Sequence, residues 1–339
     1  YDKSLDYYKQ VISEMPGTEY AQDALLAIES IYQSQGRVDE YIDFADKAGV
    51  IKDKSDGEKE AMYFNAAEQI FMTENYNKAL TSLMAYLERY PSGQKVPAAE
   101  FYVAECYRNI GKKEQACDWY TKSLSRGSES SFAETAMLNF SRLSYELQRY
   151  KDAYGGYSSL LEDARIDNNR HTARVGMLRS AFKAGDWTSA ISCADRVRED
   201  SKSTAEEIRE AEYSKAKSLL SMNERSAAYE IFAALSAKPS TSEGAEAAYM
   251  IILDAYDQGK YDSVEKKVYA FAEKAGDQSY WLAKAFIVLG DSFAEQDNLQ
   301  QAKATFESVL NGYKPASGKS DDVLDNVRMR LDKLKNMER

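Results

Sequence analysis

Residues 286–309 read FIVLGDSFAEQDNLQQAKATFESV and contain two apolar stripes separated by a polar break. From Phe286 to Phe293, apolar residues are spaced by three and four positions, which places them on one face of a helix. Residues 296–298 are polar, and the same spacing resumes after them with Ala302 near its centre. The stretch therefore predicts a helical hairpin with a short turn.

The pattern recurs along the whole chain. Small or apolar residues take the place of Ala302, in most units with an apolar or aromatic residue three positions before and others four and seven positions after. We call these residues the anchors: Ser4, Tyr41, Ala79, Ala116, Ala153, Ala190, Ala228, Val264 and Ala302. Their separations are 36 to 38 residues, a period typical of stacked helical repeats.

This period predicts an all-α fold, namely a right-handed α–α superhelix (solenoid) of helical hairpins that repeat about every 37 residues. We expect one solenoid over residues 1–339. In it, residues 1–16 form the second helix of a truncated repeat, residues 20–314 form eight hairpins, and residues 320–337 form a C-terminal capping helix with Ser320 as its N-cap. Because the partner of the first of these helices is missing, we expect the chain to be a segment of a longer array.

Local signals place the helix starts and one close contact. Adjacent Gly155 and Gly156 inside a predicted helix favour close packing of a neighbouring helix over a hinge. Four serines are followed three residues later by Glu, the capping-box spacing that predicts a helix start: Ser55, Ser131, Ser203 and Ser240.

Composition excludes several classes of protein. With 44 basic and 55 acidic residues, the chain has a net charge of −11, which argues against a nucleic-acid binder because such a protein needs a basic face. No apolar run approaches the roughly 20 residues that span a bilayer, and the given sequence contains no signal-peptide pattern. Because it begins at Tyr1 rather than Met, earlier removal of a targeting segment stays open. Cys106, Cys117 and Cys193 are expected to be small buried residues, with a disulfide between Cys106 and Cys117 as the alternative. The redox compartment therefore stays open.

Catalytic and metal-binding motifs are missing from the sequence. His171 is the single histidine, and its polar neighbours predict an exposed position rather than a catalytic or metal-binding one. No glycine-rich phosphate loop, nucleophile elbow or zinc motif occurs. We therefore expect neither an enzyme nor a bound metal or other cofactor.

The pattern around Ala302 resembles the tetratricopeptide repeat (TPR). Leu289 and Gly290 in the first helix are followed by Phe293, and Ala302 in the second helix is followed by Phe306. The Ala79 unit is similar, since it has an aromatic residue three positions before the anchor and Pro91 at the end of the hairpin. The resemblance covers nearly the whole chain. It implies a non-enzymatic protein–protein interaction scaffold in which the first helices line a concave groove that binds a peptide.

Residues 86–116 are also similar to the repeats of bacterial cell-envelope TPR proteins, of the type of the Tol-Pal cell-division coordinator and the outer-membrane assembly lipoprotein. This second resemblance implies a periplasmic or outer-membrane-associated protein, with a cytoplasmic one as the alternative.

Charged residues recur at one position of the first helices, eleven residues before each anchor, which we call position −11. From the Tyr41 unit onward, position −11 holds Ser30, Glu68, Glu105, Arg142, Arg179, Lys217, Leu253 and Asp291. The three consecutive basic residues, with Lys183 beside them, predict a basic track in the groove. An ordinary solvated face, paired with Glu or Asp, is the alternative.

Aromatic residues recur fifteen and eight residues before the anchors. Those predicted to line the groove beside the basic track are Tyr145, Phe182, Tyr213, Tyr249 and Tyr256, and the others are Phe64, Phe71 and Phe101. The alternative is that the rings only pack between successive first helices.

The basic track predicts an acidic segment or a free C-terminal carboxylate of a partner protein as the ligand. An architectural or oligomerisation segment of a larger repeat protein is the second hypothesis, and an enzyme without a recognisable motif is the third. The sequence carries no signal for an oligomeric state.

Overall fold

The computed structural model describes residues 1–49, 55–126, 131–315 and 321–337. These residues form eighteen α-helices and no strand, which confirms the predicted all-helical fold. Ser320, the predicted N-cap of the last helix, lies outside the described residues. The helices are α1 (Asp2–Glu14), α2 (Glu19–Gln35), α3 (Val38–Lys47), α4 (Asp56–Met72), α5 (Tyr76–Arg89), α6 (Val96–Asn109), α7 (Lys113–Ser125), α8 (Ala133–Glu146), α9 (Tyr150–Asp163), α10 (Asp167–Ala184), α11 (Trp187–Glu199), α12 (Ala205–Ser221), α13 (Arg225–Leu235), α14 (Ser242–Asp257), α15 (Tyr261–Ala272), α16 (Ser279–Glu295), α17 (Leu299–Gly312) and α18 (Val323–Met337).

The chain divides into two compact units, an N-terminal unit (Tyr1–Gly176) and a C-terminal unit (Met177–Arg339). In the N-terminal unit, α1 is followed by the hairpins α2/α3, α4/α5, α6/α7 and α8/α9. In the C-terminal unit, α12/α13, α14/α15 and α16/α17 are followed by α18, which packs on α16 and α17. Helix α10 begins in the first unit and ends in the second, where α11 follows it.

The anchors lie in the cores of the hairpins. All those from Tyr41 to Ala302 have no exposed surface, which confirms their predicted burial. Six of these eight anchors are alanines, whose small side chains let the two helices of a hairpin approach closely. Ser4 is the exception, because it is exposed while its neighbour Leu5 is buried.

Every described hairpin turns through one residue in the left-handed conformation. These residues follow the first helix and recur with the period of the anchors: Gly36, Glu74, Gly111, Gln148, Gly185, Asn223, Gly259 and Asp297. After seven of these eight residues, Glu74 being the exception, the next N–H along the chain donates back into the helix, as from Arg37 to the carbonyl of Tyr32, which closes the helix end. Glycine and a bulkier residue alternate, although only glycine adopts this conformation without strain.

Close packing explains one of the two adjacent glycines. A Cβ at Gly156 would collide with Phe140 and Ser141 of α8, so the predicted close approach is confirmed there. Gly155 faces open space instead, so its predicted packing role is wrong.

The helix starts partly follow the predicted capping boxes. The box at Ser55 is present, but the one predicted at Ser203 lies one residue later, at Thr204. Thr241 likewise replaces Ser240 as the cap of α14. Helix α8 begins without a side-chain cap, and the Glu134 carboxylate instead accepts the backbone N–H groups of residues 165 and 166 at the start of α10.

The three cysteines are buried, and Cys106 and Cys117 are thiols, so the alternative of a disulfide between them is wrong. Burial raises the pKa of the Cys106 thiol to about 12, so this side chain is an unreactive thiol at neutral pH. His171 is partly buried rather than exposed. No helix among the described residues is long and apolar enough to cross a membrane.

Candidate functional site

Position −11 connects successive first helices of the C-terminal unit. The Arg179 guanidinium of α10 donates to both carboxylate oxygens of Glu210 on α12, at 2.8 and 2.7 Å. Lys217 Nζ of α12 donates to Glu246 Oε1 on α14 at 2.8 Å. Both glutamates lie eighteen residues before their own anchors, at position −18. We call each such pair a rung.

The third rung of this unit is interrupted. Leu253 occupies position −11 on α14 and Lys284 occupies position −18 on α16, so a lysine faces a residue that has no carboxylate. Lys284 Nζ turns instead toward Asp322 Oδ2 at 3.3 Å and the Tyr280 hydroxyl at 3.4 Å. The rings of Tyr249, Tyr280 and Trp281 surround it, with centroids 5.4 to 6.0 Å away.

Both partners of this long ion pair are charged at neutral pH. Burial acts to lower the pKa of Lys284, but the hydroxyls of Tyr249 and Tyr280 and the carboxylate of Asp322 outweigh it and raise the pKa above its ordinary value. Burial acts to raise the pKa of Asp322, and Lys284 outweighs that effect and holds it below its usual range.

The fourth rung has the opposite polarity. Asp291 of α16 is the anion, and the Arg330 side chain of α18 donates from Nε to its two oxygens at 2.7 and 2.9 Å. The hydrogen bonds to Asp291 raise the pKa of Arg330, although burial opposes them. This charge-assisted rung fixes α18 across the C-terminal part of α16.

A cleft opens where the rung is interrupted, between α14, α16 and α18. A cavity of about 310 Å³ and one of about 590 Å³ both border the Asp291–Arg330 rung. Volumes of this order hold small ligands or a few side chains. The first cavity is lined by Tyr249, Leu253, Tyr256, Lys284, Ile287, Val288, Asp322 and Val323, and the second by Tyr256, Phe306, Met329, Lys333 and Leu334, among others.

Helix α16 supplies part of the lining of the first cavity. Together with α17 it matches a known sequence repeat. Residues 280–314 match the tetratricopeptide repeat. This range coincides with the α16/α17 hairpin. A comparison with curated protein sequences gave no match.

Three solved structures are similar to the chain in helical arrangement. A tetratricopeptide repeat protein from Parabacteroides merdae shares 15% identity, with a TM-score of 0.39 over 82% of this chain and 99% of the other. BtubC from P. vanneervenii shares 16% identity, with a TM-score of 0.35 over 57% of this chain and 85% of the other. The apo form of the quorum sensor NprR from B. thuringiensis shares 13% identity, with a TM-score of 0.35 over 91% and 97%. The other hairpins share with α16/α17 the period, the left-handed turn residue and the buried anchor.

Five of the predicted site residues of the C-terminal unit lie at the rungs or in the cleft. Tyr249 and Tyr256 line the cleft. Arg179 and Lys217 form rungs, and the Tyr213 hydroxyl donates to Glu246 at 2.7 Å. The alternative of a paired face therefore describes Arg179 and Lys217.

The remaining residues of the predicted site are not among those that line the cleft. Phe182 packs edge-on against Trp187, with 5.9 Å between ring centroids, and Lys183 is exposed on α10. Arg142 and Tyr145 belong to the N-terminal unit. The Arg142 guanidinium is exposed and has no ion-pair or hydrogen-bond partner among the residues that the structure describes. The Tyr145 ring contacts that of Tyr150, at 5.3 Å.

The N-terminal unit fills the equivalent face with its own side chains. The ring of Tyr102 on α6 lies 4.8 Å from that of Phe71 and 5.4 Å from that of Phe132, and its hydroxyl donates to Glu68. Glu105, also on α6, is buried and accepts hydrogen bonds from Tyr120, Arg108 and Asn139. In this unit the rings pack between successive first helices, as the alternative states.

Several cleft residues were not among those predicted: Tyr280, Trp281, Lys284, Asp322 and Arg330. Tyr280, Trp281 and Lys284 lie near the start of α16, before the positions where the recurring rings and charges were found. Asp322 directly precedes α18, and Arg330 belongs to it. Leu253 was the available signal, because it is the apolar residue in a track of charged ones.

Proposed function

We propose that the chain is a non-enzymatic scaffold for protein–protein interaction, and that the cleft between α14, α16 and α18 binds an extended segment of a partner protein. TPR-like hairpins typically serve such interactions, and the residues that match the repeat form one wall of the cleft.

The interrupted rung is the observation that carries this proposal. At the rungs of Arg179 and Lys217, charged pairs join successive first helices. At Leu253 the space stays open, and the partly exposed rings of Tyr249 and Tyr256 face it beside buried Ile287 and Val288. Rings and aliphatic side chains in a cavity supply most of the binding energy of peptide sites, while charges at the edge supply little.

The chemical class of the ligand depends on which basic side chains are not already paired in a rung. An acidic or C-terminal segment that bound at Arg179 or Lys217 would have to displace Glu210 or Glu246, which are already held in place by the fold. Arg142 and Lys284 have no such rung partner. We propose an acidic segment as the ligand, with Lys284 as the cation that contacts it in the cleft.

A bacterial cell-envelope role, periplasmic or associated with the outer membrane, is supported by the resemblance of residues 86–116 to envelope repeat proteins. A cytoplasmic location is the alternative. Fractionation of cells of the source organism, followed by immunoblotting for this chain, tests the choice.

Selection from a random peptide library against the whole chain tests the scaffold proposal. Peptides recovered on the wild-type chain are measured by fluorescence anisotropy against Tyr256→Ala and against Tyr269→Ala. Tyr269 lies on α15 of the same hairpin, is 50% exposed and does not line the cleft, so it is a matched control for the loss of a ring.

We expect Tyr256→Ala to weaken binding about tenfold, because it removes a ring from both cavities, and Tyr269→Ala to leave it unchanged. Peptides that bind all three proteins equally, or a failure to recover any peptide, would contradict the assignment of the cleft.

A further inference from the structure

The first cavity contains hydrogen-bond donors that the fold does not use fully. A lysine ammonium has three N–H donors, and the two contacts of Lys284, at 3.3 and 3.4 Å, are longer than ordinary charged hydrogen bonds. The hydroxyl of Tyr249 has no hydrogen-bond partner among the described residues, although its ring lies beside Lys284. Both side chains line the same cavity.

The acceptors around this cavity are already occupied. Asp322 accepts from Lys284, Tyr280 and Asn326. Asp291 accepts both of its hydrogen bonds from Arg330. What the cavity lacks is therefore an acceptor, and one that carries negative charge suits the ammonium best.

The geometry of the rungs shows where such an acceptor would lie. Arg179 and Glu210 are 31 residues apart, and Leu253 and Lys284 have the same separation. In the rungs, a carboxylate meets the cation of the neighbouring first helix. At Leu253 the chain supplies a butyl group in place of a carboxylate, so the position beside Lys284 is free for a carboxylate from another molecule.

We propose that this cavity is an anion subsite, in which Lys284 and the Tyr249 hydroxyl bind the side-chain carboxylate of a Glu or Asp in the bound segment while Leu253 keeps the position open. The ligand completes the missing rung. This inference rests on the proposed function, because it concerns the same cleft.

A positively charged ligand group is disfavoured. The three rings that would hold a cation already surround Lys284, and a second cation there would meet its charge. A neutral amide would accept a hydrogen bond without the charge attraction that a carboxylate adds, so it should bind less well than a carboxylate of the same shape.

The test uses two synthetic peptide libraries that are identical except for Glu or Gln at one fixed central position. Both carry C-terminal amides, so that any carboxylate bound at the fixed position belongs to a side chain. A third set with a free C-terminus and Gln at the fixed position measures binding of a terminal carboxylate. Affinity selection on the whole chain is followed by anisotropy measurements on matched Glu and Gln peptides.

Four variants locate the subsite. Leu253→Glu supplies the missing carboxylate from the chain itself, and Leu253→Gln is its uncharged control. Lys284→Gln removes the cation. It keeps the test interpretable if circular dichroism shows that Leu253→Glu does not fold. Lys217→Gln removes the cation of the preceding rung and is the control for a general loss of positive charge.

We expect Glu peptides to bind the wild-type chain about tenfold more tightly than their Gln counterparts, the difference made by one charge-assisted hydrogen bond. Leu253→Glu and Lys284→Gln should abolish this preference, while Leu253→Gln and Lys217→Gln should retain it.

Each other outcome overturns the subsite in a recognisable way. If Glu and Gln peptides bind equally and both depend on Tyr256, the scaffold proposal stands and the anion subsite falls. If the preference for Glu survives Lys284→Gln, the anion binds elsewhere. A preference for the free C-terminus over the central Glu would assign the site to a terminal carboxylate instead. If no peptide binds in a Tyr256-dependent way, both proposals fall.

Discussion

Three tyrosines of the N-terminal unit should make its stability strongly dependent on alkaline pH. Tyr41, Tyr86 and Tyr120 lie on the second helices α3, α5 and α7 and have no exposed surface. Each hydroxyl donates to a glutamate of a first helix, for Tyr41 to Glu29 at 2.8 Å and for Tyr86 to Glu60 at 2.7 Å. Tyr120 donates to Glu105.

Burial is the largest cause that raises the pKa of each of these phenols above its ordinary value of 10.0, and the neighbouring carboxylate adds to it. The folded chain therefore holds these protons at a pH where the unfolded chain releases them. The stabilisation is fully present below pH 10, and it is lost as the pH rises from there through the pKa values of the folded state.

The size of the effect follows from the number of protons. Each tyrosine that stays protonated only in the folded state lowers the free energy of unfolding by about 1.4 kcal/mol per pH unit above 10. The three together lower it by about 4 kcal/mol per unit, a large part of the roughly 5–15 kcal/mol that stabilises a typical domain.

Urea unfolding, measured from pH 8 to pH 11 on the wild-type chain and on Tyr120→Phe, isolates one of the three protons. Below pH 9 the variant should be less stable by about 1–2 kcal/mol, because the Glu105 carboxylate loses a donor while Arg108 and Asn139 remain. Above pH 10 the stability of the variant should fall less steeply than that of the wild-type chain. The two slopes should differ by about 1.4 kcal/mol per pH unit, so that the two curves converge.

Tyr7→Phe is the control for the loss of a tyrosine hydroxyl that is not buried, because Tyr7 is 70% exposed. Curves for Tyr120→Phe and the wild-type chain that stay parallel up to pH 11 would refute the assignment of a raised pKa to Tyr120.

Three further changes test the repeats themselves. Gly111→Ala should lower the free energy of unfolding by about 1 kcal/mol, and Gln148→Gly should raise it by up to that amount. Both residues have the left-handed backbone conformation, and a Cβ at Gly111 meets nothing within 4 Å. Equal shifts of the melting temperature in the two variants would contradict this. Ala190→Arg should destabilise its hairpin by about 3 kcal/mol or more through overpacking and a buried charge, and an unchanged melting temperature would contradict the anchor assignment. Removal of residues 321–339 takes away α18, whose buried side chains cover the last hairpin, and should cause self-association that light scattering detects. A truncated chain that stays monomeric would contradict a capping role.

The repeat was predictable because each anchor is a local pattern. Spacings of three, four and seven residues lie within one helix and can be read without knowing any partner. The turns were less accessible, since Glu74 and Gln148 carry no sequence mark of a left-handed conformation, unlike Gly111. The caps at Thr204 and Thr241 were missed by one residue because either of two adjacent hydroxyl residues can cap the same helix.

The site was only partly predictable for a different reason. Tyr249 and Tyr256 were found because rings recur at fixed positions before the anchors. Whether a basic residue is available to a ligand, however, depends on whether a carboxylate about 30 residues later, on the next first helix, pairs with it. Glu246 pairs with Lys217 in this way. The spacing within one helix does not show that pairing.

The polarity of the rungs makes α14 a junction between two kinds of module. The α12/α13 repeat carries an anion at position −18 and a cation at position −11, so a tandem copy of it would pair correctly with its own duplicate. The α16/α17 repeat carries the reverse order, Lys284 and then Asp291, and would also accept its own copy. Joined directly, the two modules would place Lys217 opposite Lys284. Leu253 removes that repulsion, so the array can lengthen by duplication on either side of α14, and the cleft remains where the two directions meet.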